Sequence, residues 1–174
     1  MFSITGHTRG LGKALCDKIP TPVLGFSRSN GYDIRLQVDR SRIIDEVSNC
    51  DIFINCAYCG DDSQTTLLYE LYSSWKNKDK LIINIGSETT SGIKKKEWMY
   101  TAHKSSLHKA SEQLSYLNNP CKVVNFKFGY IGVERVLKTY NPKEYILPEH
   151  AAQFILDNIN AVKQYRLTEL LLRP

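Results

Sequence analysis

Tyr100 and Lys104 bracket the stretch Y-T-A-H-K, which places a phenol and an ammonium one helical turn apart on a common face. Such a pair can hand a proton to a nearby oxygen if the ammonium favours the phenolate and draws the phenol's pKa down from its usual value of about 10. The spacing is weak by itself. About one Y-x-x-x-K match arises by chance in a chain of this composition, and a second stands at Tyr72 and Lys76. A different chemistry is offered near the start of the chain by Thr5-Gly6-His7-Thr8-Arg9-Gly10-Leu11-Gly12. Glycines there permit a tight turn and close approach of a ligand, and a helix opening behind them presents free N–H groups to a pyrophosphate; a purely structural turn is the plainer alternative. Further on, Ser27-Arg28-Ser29 stands where a strand ends. Asp or Glu at that point would hold a ribose 2′-hydroxyl, whereas Arg28, with Arg9 in the glycine loop, suits a 2′-phosphate and favours NADP(H) over NAD(H).

These residues need elements to position them, and the chain alternates short apolar runs with helical stripes. Strands are predicted at Phe2–Thr5, Val23–Ser27, Asp51–Asn55, Leu81–Ile85, Lys122–Phe128 and Leu167–Leu172. Between them fall the stripes Leu11, Ala14, Leu15; Ile43, Ile44, Val47; Leu67, Leu68, Leu71, Tyr72, Trp75; Leu107, Ala110, Leu114, Leu117; and Ala151, Ala152, Ile155, Ile159, Val162. Strands apolar on both faces and separated by helices belong in a parallel sheet covered on both sides, so the expected fold is α/β, a doubly wound three-layer αβα sandwich. In such folds ligands gather at the carboxyl ends of the strands.

A chain of 174 residues with 42% hydrophobic content is expected to form one domain spanning residues 1–174. No run is long and apolar enough to span a bilayer and no charged, apolar leader opens the sequence, which points to a cytoplasmic protein. Cys16, Cys50, Cys56, Cys59 and Cys121 make an odd count that argues against a disulfide framework. Cys56 and Cys59 have metal or redox spacing, but His7, His103, His108 and His150 are scattered, and no metal is expected. The net charge of +5 is not arranged as a basic stripe interleaved with aromatics, so no nucleic-acid partner is expected. Lys94-Lys95-Lys96 reads as a solvated loop or as a rim attracting an anionic substrate or cofactor phosphate.

Taken together, these motifs resemble the short-chain dehydrogenase/reductase family over nearly the whole chain. The family's T-G-x-x-x-G-x-G is Thr5 to Gly12, its adenine-side Asp and aliphatic pair is Asp33-Ile34, and its N-N-A-G strand end reads Asn55-Cys56-Ala57-Tyr58. Its serine falls on Ser87 and its Y-x-x-x-K on Tyr100 and Lys104, 13 residues beyond that serine. The 13th residue before Tyr72 is Cys59, so Tyr72 and Lys76 read as a packing stripe. The resemblance implies a Rossmann-like fold with a catalytic set of Ser87, Tyr100 and Lys104. Cofactor contacts are implied at Gly6, Thr8, Arg9, Gly10, Leu11, Gly12, Ser27, Arg28, Asp33, Ile34, Asn55, Cys56, Ala57, Tyr100, Lys104, Gly129 and Ile131. It also implies hydride exchange between NADP(H) and a small carbonyl or alcohol substrate, with a homodimer or homotetramer built partly on the helix of Tyr100.

The chain departs from the family pattern in several places. The usual Asn behind the fourth strand is missing, and Gln64 is the nearest amide. Too few residues separate the second and fourth strands of the pattern, so the third is expected to be vestigial near Tyr32–Ile34, with one helix lost. Pro-Gly after the sixth strand reads Phe128-Gly129, and the segment 130–147 is short for a substrate lid, with Tyr130, Ile131 and Tyr140 as lining or as packing. The alternative function is a non-catalytic NADP(H)-binding sensor or structural subunit.

Overall fold

A computed structural model describes residues 1–92 and 97–174, so the Lys94–Lys96 cluster lies outside the described residues. The chain runs β1 (Phe2–Thr5), α1 (Gly10–Lys18), β2 (Val23–Phe26), α2 (Gln37–Glu46), β3 (Ile52–Asn55), α3 (Ser63–Trp75), β4 (Leu81–Ile85), α4 (Met99–Ser115), β5 (Lys122–Phe128), α5 (Glu134–Tyr140), α6 (Pro148–Gln164) and β6 (Glu169–Leu172). All strand pairs are parallel, and the sheet order is β2-β1-β3-β4-β5-β6. Every residue of β3 and β4 is buried, as expected of strands covered on both faces. Leu11 and Leu15 of α1 and Ile155 and Ile159 of α6 pack on one face; Ile43 of α2, Leu67 and Leu71 of α3, and Leu107 and Leu114 of α4 pack on the other. Each such aliphatic side chain stabilises the fold by about 1.5–3 kcal/mol relative to exposure. The expected doubly wound sandwich is therefore present.

Two sequence expectations need correction, and one segment without an expected element gains one. No strand forms near Tyr32–Ile34: β2 is followed by a left-handed turn at Gly31 (φ +86°), and the next residues pack as coil. Tyr32 sets its ring edge-on to Phe26 at 4.9 Å under the Arg42 guanidinium, and Ile34 fills the core. These side-chain contacts hold the segment without a sheet ladder, and β2 becomes the edge. The 130–147 segment contains a helix, α5. Finally, α4 ends at Ser115, so Leu117 lies beyond it and is exposed, while Leu107 and Leu114 face the sheet.

After β1 the chain goes to β2 on one side of it and returns to β3 on the other. That reversal opens a crevice beyond the carboxyl end of β1, where the glycine loop lies. Below the crevice, Asn55, Asn84 and Asn125 stand in register across β3, β4 and β5. Asn55 Nδ2 donates to Asn84 Oδ1 (3.0 Å) and to the Gln64 carbonyl (2.9 Å), and Asn84 Nδ2 donates to Ser111 Oγ (3.0 Å) on α4. These buried bonds tie the ends of two central strands to α3 and α4.

Candidate active site

The glycine loop is shaped by close approach. Gly6 (φ +75°) and Gly10 (φ +55°) adopt left-handed backbone, and a Cβ on Gly12 would stand 2.2 Å from the Gly6 carbonyl oxygen. The loop is fastened to the end of β3 because Thr5 Oγ1 accepts from the Cys56 N–H (3.0 Å) and the Ala57 N–H (3.1 Å). Arg9 is the N-cap of α1 but makes no side-chain capping bond, and the first turn carries no acidic residue. The positive end of α1 therefore faces the crevice with neither an N-cap side chain nor a first-turn acid answering it, a donor set that fits a pyrophosphate. Thr8 and Arg9 are exposed beside it, whereas Leu11 turns into the core.

At the end of β2, Asn30 Oδ1 accepts from the Ser27 N–H (2.7 Å), and Arg28 projects into solvent. Asp33 is bound by Arg35, whose Nε lies 3.0 Å from Oδ1; this cation, with a smaller contribution from Arg28, holds the Asp33 carboxyl below its usual value. Ile34 is buried, leaving only its backbone to meet a ligand. Asn55 likewise turns inward, and the Cys56 thiol is pushed up to about 11 by burial, so neither thiol chemistry nor an amide contact is offered there. Cys59 is also raised by burial. On the far side, the Gly129 N–H donates to the Leu172 carbonyl (3.1 Å), and Ile131 bridges to Ile146.

Ser87, Tyr100 and Lys104 converge at the ends of β4 and α4. Ser87 follows β4, and its Oγ accepts from the Thr89 N–H (3.3 Å) and the Thr89 hydroxyl (3.2 Å), leaving its own proton to donate. Ser87 is near enough to the Tyr100 phenol to pull its pKa down. Lys104 is 4% exposed; its Nζ donates to Gln64 Oε1 and to the Ile85 carbonyl, both at 2.8 Å, and lies 5.7 Å from the Tyr100 ring centre. Tyr72 and Lys76 sit elsewhere: the Tyr72 side chain is buried in the core, with its hydroxyl accepting from Asn119 Nδ2 (2.7 Å).

The electrostatics differ from the sequence expectation. Burial raises the Tyr100 phenol above 10, and the influences that pull it back down are Ser87 and the Arg135 cation rather than Lys104. The reason is geometric, since the Lys104 ammonium is turned toward two oxygen acceptors. Burial draws Lys104 down from 10.5 to about 8. Because the unfolded chain holds that proton more tightly, this group's contribution to stability rises with pH between about 8 and 10.5, by about 3 kcal/mol in all. The expected result is that the stability of wild type relative to Lys104→Met climbs through that window in denaturant titrations; a difference flat with pH contradicts the burial of a titrating ammonium.

Four contacts at the site have no counterpart in the sequence pattern. Gln64 is the nearest amide by sequence, and in the structure it accepts directly from Lys104. Gln64 Nε2 also donates to the Asn55 carbonyl (2.6 Å), fixing the amide's orientation. Tyr58 stands at the crevice, its ring 5.0 Å from that of Tyr100 and 5.2 Å from Lys104 Nζ, and its hydroxyl shares a 2.9 Å hydrogen bond with His103 Nδ1. Arg135 of α5 acts on the phenols of both Tyr100 and Tyr58. Arg173 donates to Glu88 (2.6 Å), the residue after Ser87. The sequence signals for this region are the i, i+4 spacing of Tyr100 and Lys104 and the serine, Ser87, 13 residues before Tyr100.

Among the described residues no cluster of three or more His, Cys, Asp or Glu could hold a metal, and no helix is long and apolar enough to cross a membrane. No protein-family model matches the sequence, and no curated protein matches it. Solved structures do match. A short-chain dehydrogenase from Burkholderia cenocepacia in complex with NADP superposes with a TM-score of 0.79 at 17% identity, over 97% of this chain and 86% of that one. An alcohol dehydrogenase from the archaeon Thermococcus sibiricus complexed with 5-hydroxy-NADP gives 0.77 at 12% identity, over 98% and 95% of the two chains. A 3-ketoacyl-(acyl-carrier-protein) reductase from Brucella melitensis complexed with NADH gives 0.78 at 15% identity, over 98% and 95%. The chain thus has the three-layer αβα fold of the short-chain dehydrogenase/reductase structures it is similar to.

Proposed function

We propose that this chain is an NADP(H)-dependent oxidoreductase of the short-chain dehydrogenase/reductase family, reducing a small carbonyl compound or oxidising the matching alcohol. The observation that carries this reading is the meeting of Ser87, Tyr100 and Lys104 at the strand ends beside a glycine loop whose helix opens with no capping side chain and no first-turn acid. The cofactor pyrophosphate would rest on the N–H groups of Gly10, Leu11 and Gly12, with Gly6 and Thr8 beside it, and Arg9 and Arg28 would take a 2′-phosphate. The adenine would lie toward Ser27, Asp33 and the Ile34 backbone, and the nicotinamide end toward Cys56, Ala57, Gly129 and Ile131. When bound, the nicotinamide supplies or accepts the hydride.

The chain's own residues manage the proton and the charge. As negative charge grows on the substrate oxygen, the Tyr100 O–H gives up its proton to it and the Ser87 O–H donates a second hydrogen bond. Lys104, held by Gln64 and the Ile85 carbonyl, keeps a positive charge behind the phenol and within reach of the cofactor ribose. In the reverse direction the same groups accept the alcohol's proton.

A second reading, a sensor or structural subunit that binds NADP(H) without turnover, draws on Tyr58, whose ring stands over the Lys104 ammonium. We further propose that residues 1–174 act as one domain, that the protein is cytoplasmic, and that it pairs as a homodimer or homotetramer.

Ligand binding stabilises by mass action, so NADPH is expected to raise Tm more than NADH does at equal concentration. A tenfold preference corresponds to about 1.4 kcal/mol and a gap of roughly 3–5 °C for a chain of this size. Equal shifts, or a larger one with NADH, would remove Arg28 and Arg9 as phosphate ligands.

A further inference from the structure

The Lys104 ammonium carries three protons. Two of them go to Gln64 Oε1 and the Ile85 carbonyl, both at 2.8 Å. Its remaining side is closed by aromatic rings, with the Tyr58 ring centre 5.2 Å from Nζ and the Tyr100 ring centre 5.7 Å from it. Only 4% of the residue meets solvent. A cofactor ribose can therefore reach this nitrogen only after one of the neighbours moves. Ile85 belongs to a buried central strand, and Gln64 is itself buried and bound to the Asn55 carbonyl. Tyr100 stands one turn away on the same helix and packs on Trp98 at 5.3 Å. Tyr58 is the neighbour held least.

Tyr58 sits half-buried in the coil between β3 and α3. On one side of it the Ala57 N–H is fastened to Thr5 Oγ1 (3.1 Å), and on the other Gly60 turns with left-handed backbone (φ +89°) into open space. The ring meets Tyr100 edge-on at 5.0 Å, and the hydroxyl shares a 2.9 Å hydrogen bond with Nδ1 of His103, the residue before Lys104. A ring beside a desolvated ammonium and a single hydrogen bond are interactions of a size that ligand binding outweighs. The position is the fourth of the N-N-A-G pattern, where glycine would offer no side chain to cover anything.

We propose that Tyr58 is a swinging cover on Lys104, latched by His103, which competes with the cofactor ribose for the ammonium and so sets cofactor affinity. This rests on the oxidoreductase reading. Cofactor then binds only the fraction of chains whose ring has swung away, and its apparent Kd is raised in proportion.

The test pairs calorimetric titration of the full chain with NADP+ and, without cofactor, the rate at which Lys104 is acetylated by sulfosuccinimidyl acetate, read by mass spectrometry. Tyr58→Ala is expected to bind NADP+ about tenfold more tightly than wild type, which corresponds to about one open chain in ten, and its Lys104 to be labelled about tenfold faster. Tyr58→Phe and His103→Ala break the latch but keep the ring, and should move both readouts in the same direction by about threefold. These two decide the matter if Tyr58→Ala fails to fold. NADP+ binding that is unchanged or weaker in the variants would overturn the cover and leave the oxidoreductase reading standing, since the ring would then be neutral or a platform for the cofactor. Labelling unmoved in all three would overturn it as well. Faster labelling with no NADP+ binding by any variant supports the cover and instead sinks the oxidoreductase reading.

Discussion

Tyr100→Phe is expected to lower carbonyl reduction by a factor of roughly 100 to 10,000 while leaving NADPH binding intact, the range that a single general acid contributes. The variant removes one hydroxyl and keeps the ring, so the packing against Tyr58 at 5.0 Å and Trp98 at 5.3 Å survives and any loss reports the proton rather than the fold. Tyr72→Phe is the control, because that hydroxyl bonds Asn119 in the core, away from the crevice. The measurement is a steady-state rate on a carbonyl panel beside a thermal shift with NADPH. Normal turnover by Tyr100→Phe would move the proton donor elsewhere, with Tyr58 and its His103 partner next in line.

Gln64→Leu should produce the second large effect, on stability and activity together. Its Oε1 is one of two acceptors for a buried ammonium, and its Nε2 answers the Asn55 carbonyl. Hydrogen bonds to charged groups contribute about 1.5–3 kcal/mol, and a buried carbonyl left without its donor adds to the loss, so about 2–4 kcal/mol is expected. For a chain of this size that is roughly a 5–15 °C fall in Tm. Losing an acceptor also disfavours the charged form of Lys104, so its pKa should drop below the present value of about 8. The alkaline limb of the pH–rate profile set by Lys104 is then expected to move toward lower pH. A lowered Tm with an unmoved limb would make Gln64 a packing residue only; the shifted limb marks it as a residue that positions Lys104.

Much of this architecture was readable from periodicity. The β3 and β4 runs, apolar at every position but Asn55 and Asn84, can only be interior strands, and the stripes of α3, α4 and α6 repeat at helical spacing because one face of each must be buried. Ends were less clear: β2 stops at Phe26, and the last strand starts at Glu169 rather than Leu167, because ladder pairing and not hydrophobicity decides where a strand stops. The supposed third strand failed because Tyr32 and Ile34 found side-chain partners that make a ladder unnecessary.

The position of the candidate site was legible in the same limited way. Glycines at 6, 10 and 12 and the Tyr100–Lys104 spacing are local, and local patterns survive in a sequence. Arg135, Tyr58 with His103, and Arg173 with Glu88 are met only when distant segments converge, the last pair being 85 positions apart. The Tyr100 pKa departs from the sequence expectation for a related reason. Spacing placed a cation nearby but could not say that its ammonium would be turned to Gln64 and the Ile85 carbonyl, or how deeply the phenol would be buried.

The most direct check on the central claim is a crystal structure of the full chain with NADP+. The expected density runs from Arg28 across the Gly6–Gly12 loop and ends with the nicotinamide in contact distance of the Tyr100 hydroxyl, with Tyr58 swung off Lys104. A dinucleotide lying elsewhere, or a Tyr58 ring still seated over Lys104 with the nicotinamide held away from Tyr100, would contradict it.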